Sequence, residues 1–310
     1  MVMKKTMITQ IAQINLRQNR SVACIGFFDG IHLGHQALIH KTKERAEALG
    51  IPSMLITFNP DPWSVIHKKS SVKHITPLKT KLEVIESYGI DEVIILKFDQ
   101  NLSSLSPDDF VFKVLISLGI QELVVGEDFK FGFRGKGNVN FLKEHYGAIM
   151  PTHVVDLLLD HKIKIGSTTV TQTIVNGKLE ETHKLLGRDY RISGIVVDGA
   201  KQGRRIGFPT ANMHVYDEFV LPKVGVYAGY TIVRGKKYKS IINIGYNPTF
   251  NTREKVSVET HILDFNKVIY GEVIHQEFTF RIRDELKFDS IDELIDQMKD
   301  DERIARENLK

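Results

Sequence analysis

Gly26-Phe27-Phe28-Asp29-Gly30-Ile31-His32-Leu33-Gly34-His35 sets two histidines a helical turn apart, among glycines, directly after an apolar run. Ser21 to Phe28 reads as a buried strand, and Gln36 to Leu49 reads as a helix. A strand that breaks at glycine and opens a helix makes an anion site, because first-turn N–H groups point outward and glycine lets a phosphate approach the backbone. Two imidazoles there can donate hydrogen bonds to phosphoryl oxygens as charge develops in an in-line transfer. A packed core histidine accounts for one ring at a strand end, but less well for a spaced pair with Gly34 between.

Outward from this stretch, the first half alternates strand and helix. Val22–Phe28, Ser53–Phe58, Val93–Phe98, Leu123–Val125 and Thr152–Leu158 are strand-like. Helical patterns follow His35, span Leu78 to Tyr88, and start at Ser106-Pro107-Asp108, where Ser suits an N-cap and Pro the first helical position. This alternation predicts a Rossmann-like α/β domain, a parallel sheet covered on both faces. Its ligands bind beyond the carboxyl ends of the strands, where Gly126-Glu127-Asp128-Phe129-Lys130-Phe131-Gly132 also falls.

The rhythm changes at Leu185–Tyr190. Ile192–Val197, Val226–Val233, Lys239–Ile244, Ser257–Leu263 and Val273–Phe280 are short β-rich runs separated by glycine turns, which predicts a small antiparallel barrel. One helix closes it: Ser290-Ile291-Asp292-Glu293 is a capping box, and Ile291, Leu294, Ile295 and Met298 share a face. The expected domains are residues 1–186 and 187–310.

A net charge of +4 spread along the chain favours small anionic ligands over nucleic acid, since no dense basic block carries interleaved aromatics. No apolar segment is long enough to span a bilayer, so no membrane partner is expected. A single cysteine, Cys24, lies in a buried-looking strand and suits a reducing cytoplasm.

A second candidate site is the glycine-rich basic loop Gly199-Ala200-Lys201-Gln202-Gly203-Arg204-Arg205-Ile206-Gly207-Phe208-Pro209-Thr210-Ala211-Asn212. Closely spaced glycines expose N–H groups to an anion, and Thr210 and Asn212 are hard oxygen ligands of the kind Mg²⁺ accepts beside nucleotide phosphates. A structural hairpin fits the same composition. Glu259 sits in a strand-like run and is either a general base for an attacking hydroxyl or an exposed strand glutamate paired to an arginine.

Taken together, these motifs resemble the prokaryotic bifunctional riboflavin kinase/FAD synthetase family. The carrying residues are GFFDGIHLGH at 26–35, TFNPDP at 57–62, GEDFKFG at 126–132, GRRIGFPTAN at 203–212, GVYAG at 225–229, NIGYNPTF at 243–250, VETHILDF at 258–265 and RIRDELKF at 281–288. The resemblance covers nearly the whole chain and implies two reactions. In the barrel, riboflavin is phosphorylated to FMN from ATP: Thr210 and Asn212 hold Mg²⁺ and phosphates, Glu259 is the base, Gly199, Gly203, Arg204, Gly207 and Pro209 contact ATP, and Arg281, Arg283 and Glu285 contact the flavin. In the first domain FMN is adenylylated to FAD, with His32 and His35 at the α-phosphoryl group and Gly26, Phe28, Asp29, Gly34, Asp128, Ser167 and Thr168 binding ATP. The rivals are a kinase whose first domain turns over poorly and a flavin-binding regulatory protein.

Two departures fall in the first domain. The family's SSTxIR motif here reads Gly166-Ser167-Thr168-Thr169-Val170-Thr171, with threonine in place of the arginine, and Asp61 replaces the usual His or Asn of TFxPxP. Arginine offers a permanent charge and bidentate phosphate contacts that a hydroxyl does not. Thr171→Arg is therefore expected to raise FAD formation from FMN and MgATP, by roughly a hundredfold or more. An unchanged rate places the deficit elsewhere.

Overall fold

The computed structural model describes residues 3–69, 71–156, 158–160, 163–199, 203, 206–215, 218–246 and 256–310. Two compact units divide the chain: Met1–Val72 with Leu78–Gly166, and Lys73–Pro77 with Ser167–Lys310.

The first unit is built on six strands: β1 (Lys4–Ile8), β2 (Ser21–Ile25), β3 (Ser53–Asn59), β4 (Glu92–Lys97), β5 (Ile120–Gly126) and β6 (Thr152–Val155). They form one parallel sheet in the order β1-β4-β3-β2-β5-β6. Strand alternation sends Ala23 and Ile25 into one core with Met54, Ile56 and Leu96, and Val22 and Cys24 into another with Leu55, Val93 and Ile95. Both faces are thus buried, as expected for a parallel sheet. Burial pushes the Cys24 thiol up to about 12, which makes it an inert core group.

The chain runs from β2 through β3 to β4, then returns to place β5 on the other side of β2. The carboxyl end of β2 is therefore a topological switch point, the usual ligand crevice of an open α/β sheet. The strand stops at Ile25, short of the expected Phe28, because Phe28 adopts φ 57°. Helix α1 (Leu33–Leu49) starts earlier than Gln36, so His32 is its N-cap and His35 lies in its first turn. Gly50 ends it in the left-handed conformation. Helix α2 spans Leu78–Ser87, and α3 spans Val139–Tyr146. Ser106 caps its short helix from Asp109 N–H with Pro107 in the first turn, as its sequence indicates.

The second unit opens with α4 (Ser167–Val175) and α5 (Leu179–Leu186). These lie between the division at Gly166 and the change of rhythm at Leu185–Tyr190, and α5 packs on barrel strands. Residues 73–77 join this unit through His74, whose N–H donates to Glu218 O and whose carbonyl accepts from Val220 N–H. The barrel is closed, in the order β7 (Tyr190–Val197), β8 (Ala211–His214), β11 (Val256–Ile262), β10 (Lys236–Tyr246), β9 (Gly225–Val233) and β12 (Val273–Arg283), every pair antiparallel. Closure leaves no free edge. Helix α6 (Ile291–Asn308) is capped by Ser290 and lays Ala305 against Ala228 and Leu263 of the barrel.

The β9–β12 pair carries register shifts on either side of Tyr227–Ala228. A Cβ at Gly229 would lie 1.9 Å from the Glu277 carbonyl oxygen, so only glycine allows this approach. Gly229→Ala should destabilise the barrel by about 1–3 kcal/mol, the usual range for overpacking, read by urea unfolding. An unaltered midpoint would show that the strands separate at no cost.

Candidate functional sites

In the first unit, the β2–α1 turn concentrates the motif. His32 Nδ1 accepts from the His35 backbone N–H at 3.4 Å, so in the neutral ring Nε2 carries the proton. The two imidazoles stack at 3.7 Å, and Phe28 meets His35 edge-on at 5.1 Å. A Cβ at Gly34 would sit 3.2 Å from the His32 ring, a tight contact that the glycine avoids. Phe28 and Ile31 are fully buried yet hold φ 57° and 42°, a conformation costly for side chains of their size. Gly26 precedes the turn and Asp29 is half-buried within it.

The Phe27 carbonyl beneath this turn accepts from Thr57 Oγ1 at 3.0 Å and Lys81 Nζ at 2.6 Å. Lys81 was not singled out from the sequence, although Leu78, Lys81, Leu82 and Ile85 share helical spacing and so mark it as core-facing. Asp61 caps the short helix Pro62–Ile66 by accepting from Trp63 N–H at 2.9 Å. Asp128 is ion-paired with Lys164. Ser167 and Thr168 start α4, in the second unit.

In the barrel, strand register builds the second site. Glu259 on β11 faces Asn212 on β8 and Asn243 on β10. Residues directly opposite in adjacent strands present side chains on one face, so the three form a polar row across the wall. Asn243 stands in a turn-rich stretch of sequence, and only the pairing reveals its role. Burial pushes the Glu259 carboxyl above the usual range. Gly199 packs on Asn212 so closely that a Cβ would lie 2.0 Å from Nδ2, which brings two of the expected site residues together.

Thr210 lies in the wall shared by two cavities of about 320 Å³ each. One is bounded by Val196, Pro209, Thr260 and the segment 265–270. The other is lined by Gly203, Asn243, Glu259, Arg283 and Glu285, with Leu286, Phe288, Leu294 and Met298 from the closing segment and helix. Arg283 binds Asp301 through Nε and Nη2 at 2.9 and 2.8 Å, and Asp301 is buried, so this charge is spent on pinning α6 over the cavity. Arg281 does not line the cavity. It donates to the Val224 carbonyl and Asp284. Gly207 turns at φ 90°, and Arg204 lies outside the described residues.

The oxygens of Thr210 and Asn212 beside Glu259 suit a hard cation shared with phosphates. Among the described residues there is no cluster of three His, Cys, Asp or Glu. No described helix is long and apolar enough to cross a membrane.

Known proteins match along the whole chain. The FAD synthetase family model matches residues 14–169 and the riboflavin kinase model residues 186–309. The bifunctional riboflavin kinase/FMN adenylyltransferase of Bacillus subtilis is 39% identical over 295 residues, 94% of this chain and 93% of that protein. Its namesake from Listeria monocytogenes is 38% identical over 286 residues, covering 92% and 91%. The crystal structure of a macrolide-efflux protein from Streptococcus pneumoniae has the same fold, with a TM-score of 0.90 at 33% identity over 99% of each chain.

Proposed function

The chain belongs to the bifunctional riboflavin kinase/FMN adenylyltransferase family, and from that premise we propose which residues carry each reaction. Both halves of the family match are present, so both activities are assigned and the kinase-only reading is set aside.

In the barrel, riboflavin occupies the cavity lined by Glu259 and Asn243, its ring against Leu286, Phe288, Leu294 and Met298. ATP occupies the cavity on the other side of Thr210. The observation that carries this reading is the shared wall: Thr210 borders both cavities, so a hydroxyl beside Glu259 and a phosphate beside Thr210 would be neighbours. Glu259 accepts the proton of the ribityl 5′-hydroxyl, that oxygen bonds the γ-phosphorus, and ADP leaves. Thr210 and Asn212 would hold Mg²⁺, which offsets phosphate charge when bound. Most of the remaining catalysis is positioning: Asn212 and Asn243 flank the carboxylate from the neighbouring strands, and α6 excludes water.

In the first unit, a phosphate oxygen of FMN attacks the α-phosphorus of ATP and pyrophosphate leaves. Nε2–H of His32 and the His35 ring donate to the phosphoryl oxygens, and the first turn of α1 adds its N–H groups and dipole. The strained turn at Phe28–Ile31 keeps this backbone in place before the nucleotide arrives.

Glu259→Gln keeps shape and removes the base. Phosphorylation of riboflavin should fall by roughly a hundredfold to ten-thousandfold, while FAD formation from supplied FMN continues. Because burial raises the Glu259 pKa, the wild-type kinase should lose activity on the acid side at a pH above that of an ordinary glutamate, as the carboxyl takes up its proton. Phosphorylation that survives in the variant would remove Glu259 from this role.

A further inference from the structure

Lys81 is 2% exposed, and its helix is otherwise an ordinary amphipathic cover for the sheet. An ammonium group taken out of water costs several kcal/mol, and a methionine of similar length would fill the same space without that cost. The charge therefore has partners to answer for. Nζ donates to the Phe27 carbonyl at 2.6 Å and stands 3.7 Å from the centre of the Phe27 ring. The charged groups that act on it are the carboxylates of Asp29, in the β2–α1 turn, and Asp61, at the end of β3.

The planar peptide gives this contact a direction. The C=O of Phe27 and the N–H of Phe28 belong to one trans peptide and point opposite ways. Thr57 and Lys81 hold the carbonyl from one side, so the Phe28 N–H is turned away from both of them. The same anchor lies directly before the residues with positive φ, Phe28, Gly30 and Ile31, and these lead into His32. A cation at this point also offsets Asp61, the acidic substitution within TFxPxP that would otherwise oppose a polyanion.

We propose that Lys81 is a positioning residue for adenylyl transfer: by holding the Phe27 carbonyl from beneath, its ammonium group aims the Phe28 N–H and the His32 cap at the nucleotide phosphates. This rests on the first unit being the FMN adenylyltransferase. The ammonium is required in its charged form, and desolvation lowers its pKa to about 8 even with the two carboxylates opposing the shift.

The test uses the full chain, with FAD formation from FMN and MgATP and riboflavin phosphorylation measured on the same preparations. Lys81→Met should lower kcat for FAD formation roughly tenfold to a hundredfold, with KM for ATP within about threefold and phosphorylation of riboflavin unchanged. Wild-type FAD formation should decline as pH rises past about 8, and that limb should vanish in the variant. A wild-type profile flat through this range overturns the proposal even if the variant fails to fold. So does a folded variant that keeps its kcat, or one that raises KM alone. Wild-type protein that makes no FAD at any pH overturns the adenylyltransferase reading itself, a different result.

Discussion

A one-residue slip of β11 between its neighbours would turn Glu259 to the opposite face of the barrel wall. The kinase site depends on that register. Antiparallel pairing sets Asn212, Glu259 and Asn243 side by side, and closure of six strands leaves β11 no freedom to shift. Once the row is fixed, Thr210 follows from its place just before β8, and both cavities follow from Thr210. Arg283 is fixed in the same way at the end of β12, where its pair with buried Asp301 brings the last helix over the cavity that Glu259 lines.

The first unit solves a related problem differently. The phosphate-binding surface proposed there is largely backbone, and backbone facing a ligand has to be held from the other side. Thr57 from the neighbouring strand and Lys81 from α2 both grip the Phe27 carbonyl, and His32 caps α1 through the His35 N–H. In both units rigid strands supply the geometry, the site lying at a strand end in the first and along the wall in the barrel.

Much of this was legible in the sequence, for identifiable reasons. Strands buried on both faces read as apolar runs, and the caps at Ser106 and Ser290 read directly because a side-chain oxygen has to meet a first-turn N–H. The elements that went unread have weak local signals. Strand β1 is an edge strand with three largely polar residues in its five, Lys4-Lys5-Thr6. Helix α4 is rich in threonine and valine, which disfavour helix in isolation and are carried by packing against α5. Strand β8 hides inside a motif that looks like a loop. In the sites, Glu259, Thr210, Asn212 and the histidine pair were visible as chemistry in a pattern. Asn243 and Lys81 were not, since one needs cross-strand register and the other looks like a surface lysine until its burial is known. Arg281, which the family resemblance places at the flavin, donates to the Val224 carbonyl and to Asp284.

Two separate nucleotide sites are proposed, one at the β2–α1 turn and one in the barrel. Equilibrium titration of the full chain with a non-hydrolysable ATP analogue and Mg²⁺ measures this directly. Two nucleotides bound per chain is the predicted result. Saturation at one nucleotide per chain would contradict it.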